Sequence, residues 1–216
     1  RYNPVISLSP SPQFAAYAAK KRPMATGIAH ARGEIILTTD ADCTVPDTWV
    51  ATMVAHFTED VDLVVGYSHM APVESGWVHR FQSFDFFALL AAAAGAANRG
   101  TAWAATGQNL AYRRELFDLV GGFASISNRP SGDDVLLTQL FRRHGGRSAF
   151  CFDPGGYATT WRSESFIDLI NQRKRWASNA AAQLKLNPVL FAYVASVLLV
   201  NTLPLVALIV GGKMVI

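Results

Sequence analysis

The chain has 216 residues, 50% of them apolar and 16% charged, against about 25% charged in ordinary soluble domains. That composition excludes intrinsic disorder, and the length suits one domain with a real core rather than two full-sized ones. The net charge of +3 comes without any long Lys/Arg run, so no nucleic-acid partner is expected.

In chain order, Val5 to Ser9 reads as a short strand, followed by a loop broken by Pro10 and Pro12. A helix is expected from Lys20 to Gly33, with Pro23 in its first turn. The run Ile35, Ile36, Leu37 makes Glu34 to Thr39 a strand buried on both faces, as in parallel sheets. Pro46 and Asp47 open a helix through Phe57, and Val61 to Gly66 is a further strand. This β/α alternation predicts an α/β architecture. Helices are expected from Gly76 to Ala97, from Leu110 to Leu119 before Gly121-Gly122, and from Asp133 or Asp134 to Gly145. Ser148 to Phe152 reads as a strand and Ser165 to Leu184 as a helix.

Two features concern surroundings and ends. Cys43 and Cys151 show no CxxC spacing, which points to reduced thiols in a cytosolic setting. Arg1 is not a Met, no leader precedes the domain and Ile216 falls in an apolar stretch, so the chain reads as a fragment missing both ends. Pro188 to Gly212 carries no charge, and about twenty apolar residues span a bilayer, so 188–212 is expected to be a transmembrane helix behind a domain at 1–187. The basic surplus between Leu140 and Asn187 sets that domain on the cytoplasmic side. Phe86 to Ala97 is too short to span and reads as a buried or interfacial helix.

Three groups of residues carry chemistry. Asp40 and Asp42 follow a strand directly, where ligands bind in open α/β sheets. Two such carboxylates can share a hard cation that keeps positions for water and phosphate, or serve as turn residues. Asp133 and Asp134 stand at the head of a helix. One suffices as N-cap, leaving the other for proton transfer, although a helix N-terminus tends to lower a carboxyl pKa. Gln172, Arg175 and Trp176 share one helical face, which offers phosphate a planar fork and a sugar an indole surface, or else makes a basic, membrane-proximal helix.

In this order, DAD at Asp40 to Asp42, GDD at Gly132 to Asp134 and QRKRW at Gln172 to Trp176 resemble the D, D, QxxRW motifs of membrane-bound family 2 glycosyltransferases, relatives of cellulose, hyaluronan and poly-N-acetylglucosamine synthases. Lys20 to Thr26 followed by Gly27-Ile28 and Ala31-Arg32-Gly33-Glu34, the segment Gly107 to Arg113 and Val120-Gly121-Gly122-Phe123 are similar to that family too. The resemblance implies a Rossmann-like GT-A domain of the nucleotide-diphospho-sugar transferase type. It implies inverting transfer of a sugar to a glycan or lipid-linked acceptor at the cytoplasmic face of the inner (plasma) membrane, with polysaccharide synthesis as one form. By that likeness Asp40 and Asp42 bind the nucleotide-diphosphate sugar through Mg²⁺ or Mn²⁺, and Lys20 lies near the nucleotide. Asp134 is the base and Asp133 its acidic neighbour at the substrate, while Gln172, Arg175 and Trp176 line diphosphate and acceptor. Gly132 replaces a frequent Thr, and the family's first strand has no counterpart before Arg1, so weak donor binding is expected. The alternative is an inactive, membrane-tethered nucleotide- or glycan-binding module of the same fold.

Overall fold

A computed structural model describes residues 6–71, 76–161, 165–192, 195, 196, 199 and 202. Four strands form the main sheet: β1 (Ile35–Thr38), β2 (Leu63–Gly66), β4 (Leu110–Arg113) and β5 (Ser148–Cys151), in the order β1-β4-β2-β5. Strand β4 runs antiparallel to both neighbours, with Ile36 opposite Tyr112 and Val64 opposite Ala111, while β2 and β5 are parallel. Beyond the sheet, β3 (Ser68–Met70) and β6 (Ala158–Thr160) pair in parallel as a small ribbon.

Alternation along the strands sorts the core into two layers. Leu63, Val65, Leu110 and Tyr112 face one side. There they meet Ala25 and Ile28 of α1 (Lys21–His30), Phe86 and Leu90 of α3 (Trp77–Ala97), and Leu136, Leu137 and Phe141 of α5 (Val135–Arg143). Val64, Ala111 and Cys151 face the other side, covered by Trp49 and Met53 of α2 (Trp49–Val54). Helix α3 buries Gln82, Phe86, Leu90, Ala93 and Ala97, a stripe at helical spacing, and exposes Phe81, Phe84 and Phe87 on its outer face.

Several expectations are corrected. Strand β1 pairs only with β4 among the described strands, and only Ile36 is buried, so it is not a doubly covered parallel strand. The helix expected over Leu110 to Leu119 is a strand followed by the short helix α4 (Arg114–Leu119). Residues 6–9 form no strand, and Val5 lies outside the described residues. The single helix expected from Ser165 to Leu184 is two, α6 (Phe166–Ala177) and α7 (Ala180–Leu186). It breaks where Ser178 Oγ donates to the Arg175 carbonyl and Asn179 Nδ2 donates to Ser131 Oγ, side-chain bonds that compete with helix continuation.

The transmembrane helix expected over 188–212 is corrected as well: among the described residues no helix is long and apolar enough to cross a membrane. Helix α7 stops at Leu186, and Asn187, at φ −147° and ψ 78°, leaves helical geometry, as a residue before proline tends to do. A separate helical turn starts at Pro188, with the Leu190 amide donating to Asn187 Oδ1. Of 188–212, the residues other than 188–192, 195, 196, 199 and 202 lie outside the described residues.

Candidate active site

Asp40 lies just past the C-terminal end of β1, where Thr39 Oγ1 donates to the Gln108 carbonyl and the Cys43 amide donates to Asp40 O. Opposite stands Lys20 at the N-cap of α1, preceded by Ala19 in the left-handed region at φ 51°. Its ammonium lies 3.0 Å from Asp40 Oδ1 and 2.9 Å from Asp133 Oδ2. One lysine therefore bridges two motifs 93 residues apart, a count taken from positions 40 and 133. Burial by itself would lower the pKa of this ammonium, and the charges of Asp133 and then Asp40 outweigh it and raise it.

Asp133 is 2% exposed, and its Oδ2 faces Lys20 as an ion pair without a directed hydrogen bond. Asp134 caps α5: Oδ1 accepts the Val135 amide at 2.6 Å and Oδ2 accepts the Gly107 amide at 3.0 Å. The lowering expected from the helix terminus is overridden. Burial raises the Asp134 carboxyl pKa, Asp133 raises it further, and the two amides and Lys20 offset this only in part. Gly107 is the floor of this cradle, since a Cβ there would lie 3.0 Å from Lys20 Nζ and 3.5 Å from Asp133 Oδ2.

The structure thus brings together Lys20, Asp40, Asp133 and Asp134. Asp42 is exposed, and its Oδ1 accepts from Cys43 Sγ at 3.9 Å. None of Gln172, Arg175 and Trp176 bonds to the four carboxylates among the described residues. The break after their helix reaches the loop ahead of the acid pair, where Asn179, the N-cap of α7, donates to Ser131 Oγ at 2.7 Å. Arg173 holds α6 against α3 by an ion pair with Asp85, and its guanidinium lies 4.2 Å from the Trp176 ring centroid.

Among the described residues no three His, Cys, Asp or Glu side chains converge to hold a metal ion. The donor set still fits a divalent cation. Asp40 and Asp42 are hard oxygen donors on one turn, and Mg²⁺ is commonly held by one or two carboxylates with water and substrate phosphates completing the shell. Asp133 Oδ2, ion-paired with Lys20 at 2.9 Å, and the cradle at Gly107 show that this space holds positive charge.

Three supporting residues escaped the sequence reading as site residues. Lys21 is fully buried, donating to the carbonyls of Arg129 and Ser131. Asn109 is fully buried, accepting from Trp49 Nε1 and donating to the carbonyls of Tyr67 and Gly156. Asn179 ties α7 to the acid-pair loop. Asn109 left a trace in the segment Gly107 to Arg113 and Lys21 in the segment Lys20 to Thr26, while Asn179 left none.

The mixed α/β sheet with carboxylates at one edge of it has the GT-A-like fold of a solved glycosyltransferase. The mannosyltransferase PcManGT from Pyrobaculum calidifontis, solved in complex with GDP-Man and Mn²⁺, shares this fold at a TM-score of 0.52 and 19% identity, over 88% of this chain and 58% of that one. Mannosyl-3-phosphoglycerate synthase from Rubrobacter xylanophilus is similar at a TM-score of 0.41 and 18% identity, over 78% of this chain and 52% of that one. A mycobacterial protein is similar at 0.41 and 19%, over 70% and 47%. The chain therefore spans about half the length of these solved structures. No functionally curated protein matches it. The model of glycosyl transferase family 21 matches residues 7–215, and the chain belongs to that family. The expected GT-A fold and membership of a glycosyltransferase family stand, and the matching family is 21 where the motifs resemble family 2.

Proposed function

We propose that this chain carries the catalytic site of a metal-dependent, inverting glycosyltransferase that moves a sugar from a nucleotide-diphosphate donor to an acceptor hydroxyl. The observation that carries the reading is the meeting of Asp40, Lys20, Asp133 and Asp134 at the mouth of the sheet. Asp40 and Asp42 are the residues that would hold Mg²⁺ or Mn²⁺, which when bound neutralises charge on the donor diphosphate.

Asp134 takes the proton of the acceptor hydroxyl onto its carboxylate. Each of its oxygens accepts one amide and retains lone-pair capacity, and a raised pKa brings a carboxylate nearer to what a general base needs at neutral pH. The freed oxygen attacks the anomeric carbon from the face opposite the diphosphate, so one displacement inverts that centre. Lys20, already at the junction, supplies positive charge toward the departing diphosphate, and Arg175 and Gln172 add donors while Trp176 offers a stacking face.

The site works, in this reading, at the cytoplasmic face of the inner membrane. Support comes from Phe81, Phe84, Phe166 and Ile167 exposed on α3 and α6, beside Lys174 and Arg175. Binding to anionic vesicles lost in a Phe84→Glu, Phe166→Glu variant is the check, and unchanged binding counts against the placement. A polysaccharide product is one form of the activity, and products carrying a single added sugar would exclude it.

The test of the chemistry is Asp134→Asn in the full-length protein, with a panel of nucleotide sugars and with Mn²⁺ or EDTA. General-base loss lowers kcat about 10²- to 10⁴-fold with little change in donor KM. Undiminished turnover would remove Asp134 as the base. Donor binding without turnover in the unmodified protein would favour a binding module.

A further inference from the structure

The reaction above leaves Lys21 unused, although it is fully buried. Lysine is almost never fully buried unless paired, yet no carboxylate forms an ion pair with it among the described residues. Its ammonium donates instead to the carbonyl oxygens of Arg129, at 2.7 Å, and Ser131, at 3.0 Å. These carbonyls flank Pro130 and sit directly ahead of Gly132, Asp133 and Asp134. Ser131 is also the residue whose hydroxyl accepts from Asn179 at the start of α7. Lys21 thus pins, from α1, the loop that α7 holds from the other side.

Gly132 explains why the support comes from outside the loop. It adopts φ +90°, and a Cβ there would meet the Leu136 side chain at 2.7 Å and Asn179 Nδ2 at 3.3 Å. No side chain at 132 can therefore brace the acid pair. The ammonium is buried in its place. Burial lowers its pKa, and the charges of Asp133 and Asp134 oppose that lowering.

We propose that Lys21 is the positioning residue of the acid pair: it grips the carbonyls of residues 129 and 131 so that Asp133 meets Lys20 and Asp134 meets the Gly107 amide. The role rests on the reading of Asp134 as the base. The Lys21 ammonium is buried and donates to the two loop carbonyls, so on this proposal its loss misplaces the base without removing a binding contact. A misplacement of about 1 Å costs on the order of 10²-fold in rate.

The experiment uses the full-length protein with Lys21→Met and, should that variant not fold, Lys21→Gln. Positioning predicts kcat lower by about ten- to hundredfold with donor KM within about threefold, and partial rescue by Lys21→Arg, which keeps donors for both carbonyls. Hydrogen exchange at the amides of Ser131 and Gly132 rises at least about tenfold while that of β2 and β4 stays as in the wild type. A kcat within about twofold of wild type overturns the proposal. So does a loss of activity that only tracks the fraction folded, or exchange unchanged in the loop. If the wild type transfers no sugar from any nucleotide donor, the sugar-transfer reading falls by itself. Loop exchange then decides Lys21: faster exchange sustains its grip on the loop, and unchanged exchange ends it.

Discussion

Asn109 makes three hydrogen bonds from one buried amide, to Trp49 Nε1 on α2 and to the carbonyls of Tyr67 and Gly156. It welds the segment behind the acid cradle to the far layer of the core. Asn109→Ala removes the partners of the Trp49 indole donor and the Gly156 carbonyl, each worth about 1–3 kcal/mol when buried, and leaves the Tyr67 carbonyl with the Ala158 amide alone. The expected loss is about 3 kcal/mol of stability in urea denaturation, and a loss below about 1 kcal/mol would show that water replaces the amide. At this scale the site was half legible. Asp40 and Asp42 stood out as an acidic pair at a strand end and Asp133 and Asp134 as one at a helix start, while Lys20 entered only through the family resemblance. Lys21 did not, because a lysine beside a lysine reads as a solvated charge, and only the loop packed over it makes it an interior group. Asp42, named from the same strand-end pair, and Gln172, Arg175 and Trp176, named from one helical face and the motif, make no hydrogen bond or ion pair with that cluster among the described residues.

The helices were largely legible from start signals and apolar spacing, since a cap and a stripe are local features. What neighbours impose was not. Leu110 to Arg113 runs straight into a helix, and nothing local marks it as the antiparallel partner of both β1 and β2. The break between α6 and α7 depends on Asn179 finding Ser131, 48 residues away in sequence. Helix α6 is anchored at its middle by Arg173 to Asp85 of α3, with side chains 27% and 34% exposed. A double-mutant cycle on Asp85→Ala and Arg173→Ala should give a coupling near 1 kcal/mol that shrinks in high salt, as for a partly exposed pair. Zero coupling would mean that apolar contacts alone hold the motif helix. Because Arg173 also stacks on Trp176, Asp85→Ala should also alter Trp176 quenching by acrylamide.

At the scale of the whole molecule, three carboxylates and two ammonium groups gathered at and near the start of α5 set a functional demand against stability. Asp134 makes the conflict measurable. Its pKa is raised above the ordinary 3.8 by burial and by Asp133, so between that value and its folded value the native state binds the proton more tightly than the unfolded chain does. Stability from this group is therefore greatest at low pH and falls as pH rises through that window. Lys20, raised by its acidic partners, keeps its contribution below its ordinary value and loses it only at alkaline pH. Asp134→Asn removes the titrating group while keeping one acceptor for the cap. Urea midpoints of both proteins at about pH 4, 5.5 and 7 should show wild type losing ground to the variant as pH rises, since Lys20 and Lys21 are common to both. Parallel curves would mean that the two amides and Lys20 fully offset burial. A reversed trend would mean that they outweigh it, leaving Asp134 a better cap than base.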